Sequence, residues 1–207
     1  MNQEYQHIIG KAAELYNKFG IRSVTMDDIA RELGMSKKTL YKYVSNKEDL
    51  VQDFVVHFDK WGKCNMRDII DRNLDTIEEL IELIRCITEV LKNYNPATYY
   101  DLKKYYLDYY RQWRKERRNN IYLAMKENIV KGKSEGIYRK EIDEDIVSRV
   151  YVSRIANCFA NEMFTISELT SWKFIREMLI YHIHAIANQN GISLFYQKLK
   201  VIENQSD

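Results

Sequence analysis

Pro96 is the only proline in a chain of 207 residues, and only seven glycines accompany it. So few backbone breakers suit long helices, whereas a sheet protein of this length needs a turn about every 8–12 residues. Apolar and aromatic residues recur at spacings of three and four, the period of an amphipathic helix, and not at two. We therefore expect an all-α fold. The length suits one small domain and one medium one, each able to bury a core. The boundary is expected at residue 50, with an N-terminal three-helix domain over 1–50 and a helical domain over 51–207.

The stretch Thr25 to Leu50, TMDDIARELGMSKKTLYKYVSNKEDL, carries the most local information. Thr25 stands at an N-cap with Asp28 three residues on, and Met26, Ile29, Ala30 and Leu33 supply a buried face at helical spacing. Gly34 ends that helix, because a tight turn there needs a residue tolerant of positive φ. Ser36 caps a second helix, expected over Lys37 to Val44. This is the pattern of a helix-turn-helix. From Ser36 to Lys47 there are four lysines (Lys37, Lys38, Lys42, Lys47) and no acid, interleaved with Thr39, Tyr41 and Tyr43. Cations there can neutralise phosphates, and hydroxyls can reach the backbone or base edges.

Ala12 to Gly34, the Leu40-Tyr41-x-Tyr43 tail and the following Asn46-Lys47-x-x-Leu50 together resemble the DNA-binding domain of the TetR family of bacterial transcriptional regulators. The resemblance covers about the first quarter of the chain, and its one departure is Val44, where the family usually has phenylalanine. It implies a homodimer formed by the last two core helices, a pseudo-palindromic double-stranded operator, and a C-terminal domain for ligand binding and dimerisation. It also implies DNA contacts from Thr25, Ser36, Lys37, Thr39, Tyr41, Lys42, Tyr43 and Lys47. Leu40 is expected to pack inward and Tyr41 outward.

The net charge is only +2, so the positive field for DNA must come from local clustering. The N-terminus MNQEYQH has no apolar signal region and no run reaches membrane-spanning length, so a cytoplasmic protein without a membrane partner is expected. Cys64, Cys86 and Cys158 match neither a disulfide framework nor a zinc pattern; reduced, partly buried thiols are the expectation, with a redox sensor as the alternative. His182 and His184 would diverge by about 200° on a helix, away from a shared metal. His182 is read as a hydrogen-bonded interface residue. No catalytic signature, phosphate loop, metal set or cofactor motif is present, so an enzyme is not expected.

Beyond Leu50, Ser45 to Glu48 offers a capping box for a long helix toward residue 73, with Lys47 aimed at a phosphate. Thr76 to Glu79 opens another helix, with Ile77, Leu80, Ile81, Ile84, Ile87, Val90 and Leu91 as its stripe. Asn95-Pro96 caps a stretch running to about Lys133, and Glu135-Gly136 ends it. Two further helices are expected near 141–163 and 171–189, pairing with their symmetry mates. Their wide apolar faces hold Ile146, Val150, Tyr151, Ile155, Cys158, Phe159 and Met163, and Trp172, Ile175, Met178, Leu179 and Ile186.

Seven of the sixteen tyrosines lie between Tyr94 and Trp113, and aromatic side chains with polar tips suit either a ligand pocket or a packed core. Arg117 follows on the same stripe. If the helix is continuous it lies inward and needs an anionic or strongly polar partner; a break or rotation within Arg114 to Asn120 puts the basic run in water, the usual place for such a run. A site for an amphipathic or aromatic small molecule is expected among Phe58, Cys86, Tyr106, Tyr110, Trp113 and Arg117. The whole reads as a ligand-responsive regulator, a repressor released from its operator by an effector. A nucleoid-associated or architectural DNA-binding protein on the same scaffold, with a filled core and no inducer, is the alternative.

Overall fold

The computed structural model describes residues 3–56, 65–92, 95–158 and 163–204, with the side chains of 156–158 and 204 outside the description. Among the described residues the regular elements are all helices: α1 (Gln3–Phe19), α2 (Met26–Glu32), α3 (Lys37–Leu40), α4 (Lys47–Val56), α5 (Met66–Asp71), α6 (Thr76–Lys92), α7 (Pro96–Tyr105), α8 (Leu107–Ser134), α9 (Glu144–Cys158), α10 (Ile166–Leu169), α11 (Trp172–Ile186) and α12 (Gln189–Asn204). None is long and apolar enough to cross a membrane. The chain divides into two compact units, Met1–Cys64 with Asn93–Glu116, and Asn65–Lys92 with Arg117–Asp207. The unit holding the helix-turn-helix thus also takes in α7 and the first turns of α8.

In the first unit, Ile8, Ile9, Ala12 and Tyr16 of α1 pack with Ile21, Ile29, Leu40, Leu50, Val51 and Phe54, all essentially without solvent contact. Each large apolar side chain so buried contributes about 1.5–3 kcal/mol. Val44 is also buried, so the smaller side chain still fills its slot. Carbonyls in the last turn of α1 are held by α7: Thr98 Oγ1 donates at 2.6 Å to Tyr16 O, which also accepts from Gly20 N at 2.9 Å, and Asn95 Nδ2 donates to Asn17 O at 2.7 Å. Gly20 follows at φ +85°, where an added Cβ would stand 3.2 Å from that of Ala97. Positive φ and the lack of a side chain let the turn lie against α7.

The core of the second unit joins Ile77, Leu80, Ile81, Ile84, Ile87 and Leu91 of α6 to Ile121 and Met125 of α8, Tyr151 and Ile155 of α9, Leu179 and Ile183 of α11, and Phe195 and Leu199 of α12. A polar knot sits at one end. Asn128 Nδ2 donates to Thr76 O at 2.9 Å and to Glu79 Oε1 at 2.8 Å, Lys131 pairs with Glu79 at 2.9 Å, and Tyr138 Oη donates to Asn128 at 3.1 Å. Every member is satisfied, which makes a buried carboxylate tolerable.

Several expectations are corrected. A single helix from Asn46 toward residue 73 is replaced by α4 and α5, since Asn65 is extended and caps α5 by accepting from Arg67 N at 3.1 Å. The start of α4 is capped one residue later than expected, with Asp49 N donating to Asn46 Oδ1 at 2.9 Å. Asp75, not Thr76, caps α6, accepting from Glu78 N at 3.0 Å. The stretch after Pro96 breaks at Tyr106 (φ −133°, ψ 47°), but α8 then runs unbroken through Arg114 to Asn120. Arg117 consequently shares a face with Trp113 and Ile121 and is only 7% exposed, not solvated. α11 ends at Ile186, and an additional helix, α12, follows: Asn188 Oδ1 accepts from Asn190 N and Gly191 N at 3.0 and 3.1 Å.

Leu179 and Ile186 point into the unit's own core and not toward a partner. His182 is buried beside Tyr151, ring centroids 4.9 Å apart, and its Nε2 has no hydrogen-bond partner among the described residues. Burial, with the nearby Arg154 cation, holds its pKa down at about 3. Cys86 is disulfide-bonded and not a reduced thiol, because the fold and not the spacing along the chain decides which sulfurs meet. The side chains of Cys64 and Cys158 lie outside the described residues, as do those of Phe58, Tyr94 and Phe159.

Candidate nucleic-acid interface

The helix-turn-helix is built by local chemistry. Thr25 Oγ1 accepts from Asp28 N at 3.1 Å while Asp28 accepts from Thr25 N at 2.9 Å, completing the capping box of α2. At the other end Gly34 takes φ +65°, and Gly34 N and Met35 N donate to Arg31 O and Ala30 O at 3.1 and 3.0 Å. These paired bonds past a left-handed glycine stop the helix and turn the chain. Ser36 Oγ then accepts from Thr39 N at 3.0 Å to start α3.

α3 spans a single turn, Lys37–Leu40, shorter than the expected Lys37 to Val44; helical turns continue past it, with Tyr41 N donating to Lys37 O at 3.0 Å and Val44 N to Leu40 O at 3.2 Å. Leu40 and Val44 anchor this segment in the core. The opposite side carries the chemistry. Thr25, Ser36, Lys37, Lys38, Tyr41, Lys42 and Tyr43 are exposed, and Thr39 is half-buried. Lys37 is paired with Asp27 of α2 at 2.8 Å, which raises its pKa. These three lysines and the four exposed hydroxyls of Thr25, Ser36, Tyr41 and Tyr43 can neutralise phosphates and present donors and acceptors to a groove.

Lys47 is placed differently. Its Nζ donates to Ile21 O at 2.6 Å and to Val24 O at 2.5 Å, and burial lowers its pKa. The ammonium ties the start of α4 to the turn between α1 and α2, with one N–H left over.

The residues expected around a small molecule are divided between the units. In the first, Trp113 packs edge-on against Tyr99 at 5.4 Å and tilted against Tyr110 at 6.1 Å, while Tyr106 stacks on Tyr109 at 6.5 Å. In the second, Cys86 is tied in its disulfide and the guanidinium of Arg117 is buried. No group of three or more His, Cys, Asp or Glu placed to hold a metal occurs among the described residues.

Sequence reasoning missed Asp27 as the partner of Lys37 and Arg22 as a surface cation beside the motif. Asp27 had a signal, an acid in the first turn of the helix that precedes the lysine cluster; Arg22 had none short of its contacts in space.

Comparison with known proteins agrees with this geometry. The family model of bacterial regulatory proteins of the tetR family matches residues 8–54, the span of α1 to α4. The HTH-type transcriptional repressor KstR2 of Mycobacterium tuberculosis is 26% identical over 152 residues, covering 72% of this chain and 76% of that protein. Its solved structure superposes with a TM-score of 0.54 at 20% identity, covering 91% of this chain and 97% of that one. An uncharacterized HTH-type transcriptional regulator of Bacillus subtilis, YvaF, is 33% identical over 104 residues, half of this chain and 54% of its own length. A transcriptional regulator from Cytophaga hutchinsonii shares the fold at a TM-score of 0.72 and 15% identity, over 90% of this chain and all of that one. With its capped helix-turn-helix, all-helical remainder and these relatives, the chain belongs to the TetR family of DNA-binding transcription regulators.

Proposed function

We propose that this protein is a one-component repressor that binds a pseudo-palindromic operator as a homodimer and is released by a small molecule. The observation that carries the reading is the recognition turn: Lys37, Tyr41, Lys42 and Tyr43 project to solvent from a segment anchored by Leu40 and Val44, next to Thr25 and Ser36. Lys47 contributes its remaining N–H from the start of α4. A dimer is supported by an unpartnered apolar surface on the second unit. Ile146 and Val150, one turn apart on α9, are 55% and 63% exposed, and Tyr181 of α11 is 67% exposed. Arg154 joins the two helices, its guanidinium 5.1 Å from the Tyr151 ring and 5.8 Å from the Tyr181 ring. Two recognition turns on one face of a duplex need a separation of about 34–36 Å, so a shift of a few ångströms breaks simultaneous engagement.

The effector is an amphipathic or aromatic small molecule. Its support is twofold and separate in the two units: Tyr106, Tyr110 and Trp113 offer aromatic surface with polar tips in the first, and the buried Arg117 guanidinium suits an anion in the second. KstR2 is described as a ketosteroid transcriptional regulator, which fits an apolar ring system as the class to try first. The test is to select duplexes from a random library with the purified protein, then titrate hydrophobic and aromatic acids into the complex. Release with a coupling of about 1–3 kcal/mol supports the proposal. Selection of a symmetric duplex that no such compound releases contradicts the effector half of it.

A further inference from the structure

A second cationic surface lies beside the helix-turn-helix, made by the turn after α1 and by α7. Arg22 lies between Ile21 and Val24, whose carbonyls hold Lys47, and three residues before the cap of α2. Its backbone N–H is fixed by Asp101 Oδ2 at 2.7 Å. Its guanidinium bonds the Tyr105 hydroxyl and lies 4.9 Å from the centre of that ring. Lys104 sits 5.2 Å from the Tyr100 ring and 5.4 Å from the Tyr105 ring, donating to Tyr100 Oη at 2.8 Å. Tyr100 and Tyr105 are 57% and 42% exposed, and among the described residues no carboxylate pairs with either cation's side chain.

The arrangement is a ladder of two cations held on two exposed rings. Cation–π contact restricts both side chains without cancelling their charge, so less ordering entropy remains to be lost when an anion arrives. The main-chain bond from Arg22 to Asp101 fixes the ladder to the unit that carries the recognition turn, and tyrosine hydroxyls add donors suited to phosphate oxygens. We propose that Arg22, Lys104, Tyr100 and Tyr105 form an accessory site for the phosphodiester backbone of DNA flanking the operator. The proposal rests on the DNA-binding reading and extends it to a surface outside the helix-turn-helix. DNA is favoured over an acidic protein because the ladder begins within three residues of Thr25, so a duplex seated on the motif has backbone within reach.

The test compares two labelled duplexes carrying the same selected sequence, one trimmed to the motif's own footprint and one extended by a helical turn on each side. Affinity is measured by fluorescence anisotropy across a salt series for wild type, Arg22→Ala, Lys104→Ala and Lys104→Arg. On the extended duplex each alanine variant should lower the salt slope for the dimer by about 1.8, one phosphate contact of about 0.9 in each protomer, and Lys104→Arg should keep the wild-type slope. On the trimmed duplex all four proteins should have the same slope. Unfolding curves matching wild type confirm that the surface substitutions leave the fold intact. Unchanged slopes for both alanine variants on the extended duplex overturn the site and leave the ladder to an anionic protein. Equal losses on both duplexes also overturn it, because they mean that the ladder only positions the recognition turn. Failure of wild type to bind either duplex would remove the DNA-binding reading itself, and this proposal with it.

Discussion

The carboxylate of Asp27 holds the ammonium of Lys37 at 2.8 Å, so the first lysine of the recognition turn is already paired before any DNA arrives. A phosphate has to compete with Asp27, and the carboxylate itself repels the duplex. Asp27→Asn should therefore tighten binding to non-operator DNA roughly threefold to fivefold at low salt, with the gain closing as salt screens the interaction. Anisotropy with a random-sequence duplex checks this. Weaker binding, confined to the operator, would instead mark Asp27 as a base-reading acceptor.

Lys47→Ala removes two hydrogen bonds that join the start of α4 to the turn after α1. The carbonyls of Ile21 and Val24 lose a charged donor, and stability should fall by about 1–3 kcal/mol. Urea denaturation followed by circular dichroism measures it. A variant as stable as wild type would show that water replaces the ammonium without cost.

The dimer surface makes a prediction that separates association from folding. Paired glutamates at Ile146→Glu and Val150→Glu, both largely exposed, should give a folded monomer with an unfolding curve close to wild type. Leu179→Glu should fail to fold, since a charge there enters the core of the unit. Sedimentation velocity distinguishes the cases; a dimer that survives both surface glutamates places the interface elsewhere.

Acid sensitivity is expected from His182. Burial and the charge of Arg154 depress its folded pKa from the usual 6.5 to about 3, while Tyr151 packs on its ring. Below about 6.5 the unfolded chain takes up a proton that the folded protein refuses, so this contribution is complete above that pH and is lost progressively down to about 3. His182→Leu should flatten the fall in stability across that window without changing its direction elsewhere. An identical slope in the variant would show that other groups carry the acid lability.

Much of the fold was legible because its signals are local. The Thr25 and Asn95 caps, the left-handed Gly34 and Gly136, and the apolar stripe of α6 are each set within a few residues. What was misread depends on contacts that sequence spacing does not encode. The charged run around Arg117 suggested a solvated face, yet Trp113 and Ile121 on either side of it carry that face inward. A last helix was expected near 171–189, and the cap that opens α12 is visible only in the bonds from Asn190 N and Gly191 N to Asn188. A wide apolar helix face does not say which side meets the core, which is why Leu179 was placed outward. The pairings of Lys37 with Asp27 and Arg22 with Tyr105 span 10 and 83 residues, and the fold alone brings them together.

In the proposed complex two recognition turns read one duplex symmetrically. Hydroxyl-radical footprinting on a duplex selected by the protein tests it most directly. Two protected half-sites related by a two-fold axis are expected, their centres about 10–10.5 base pairs or a multiple apart on one face of the helix. Uniform protection along the duplex, or a single unsymmetrical protected segment, would contradict it.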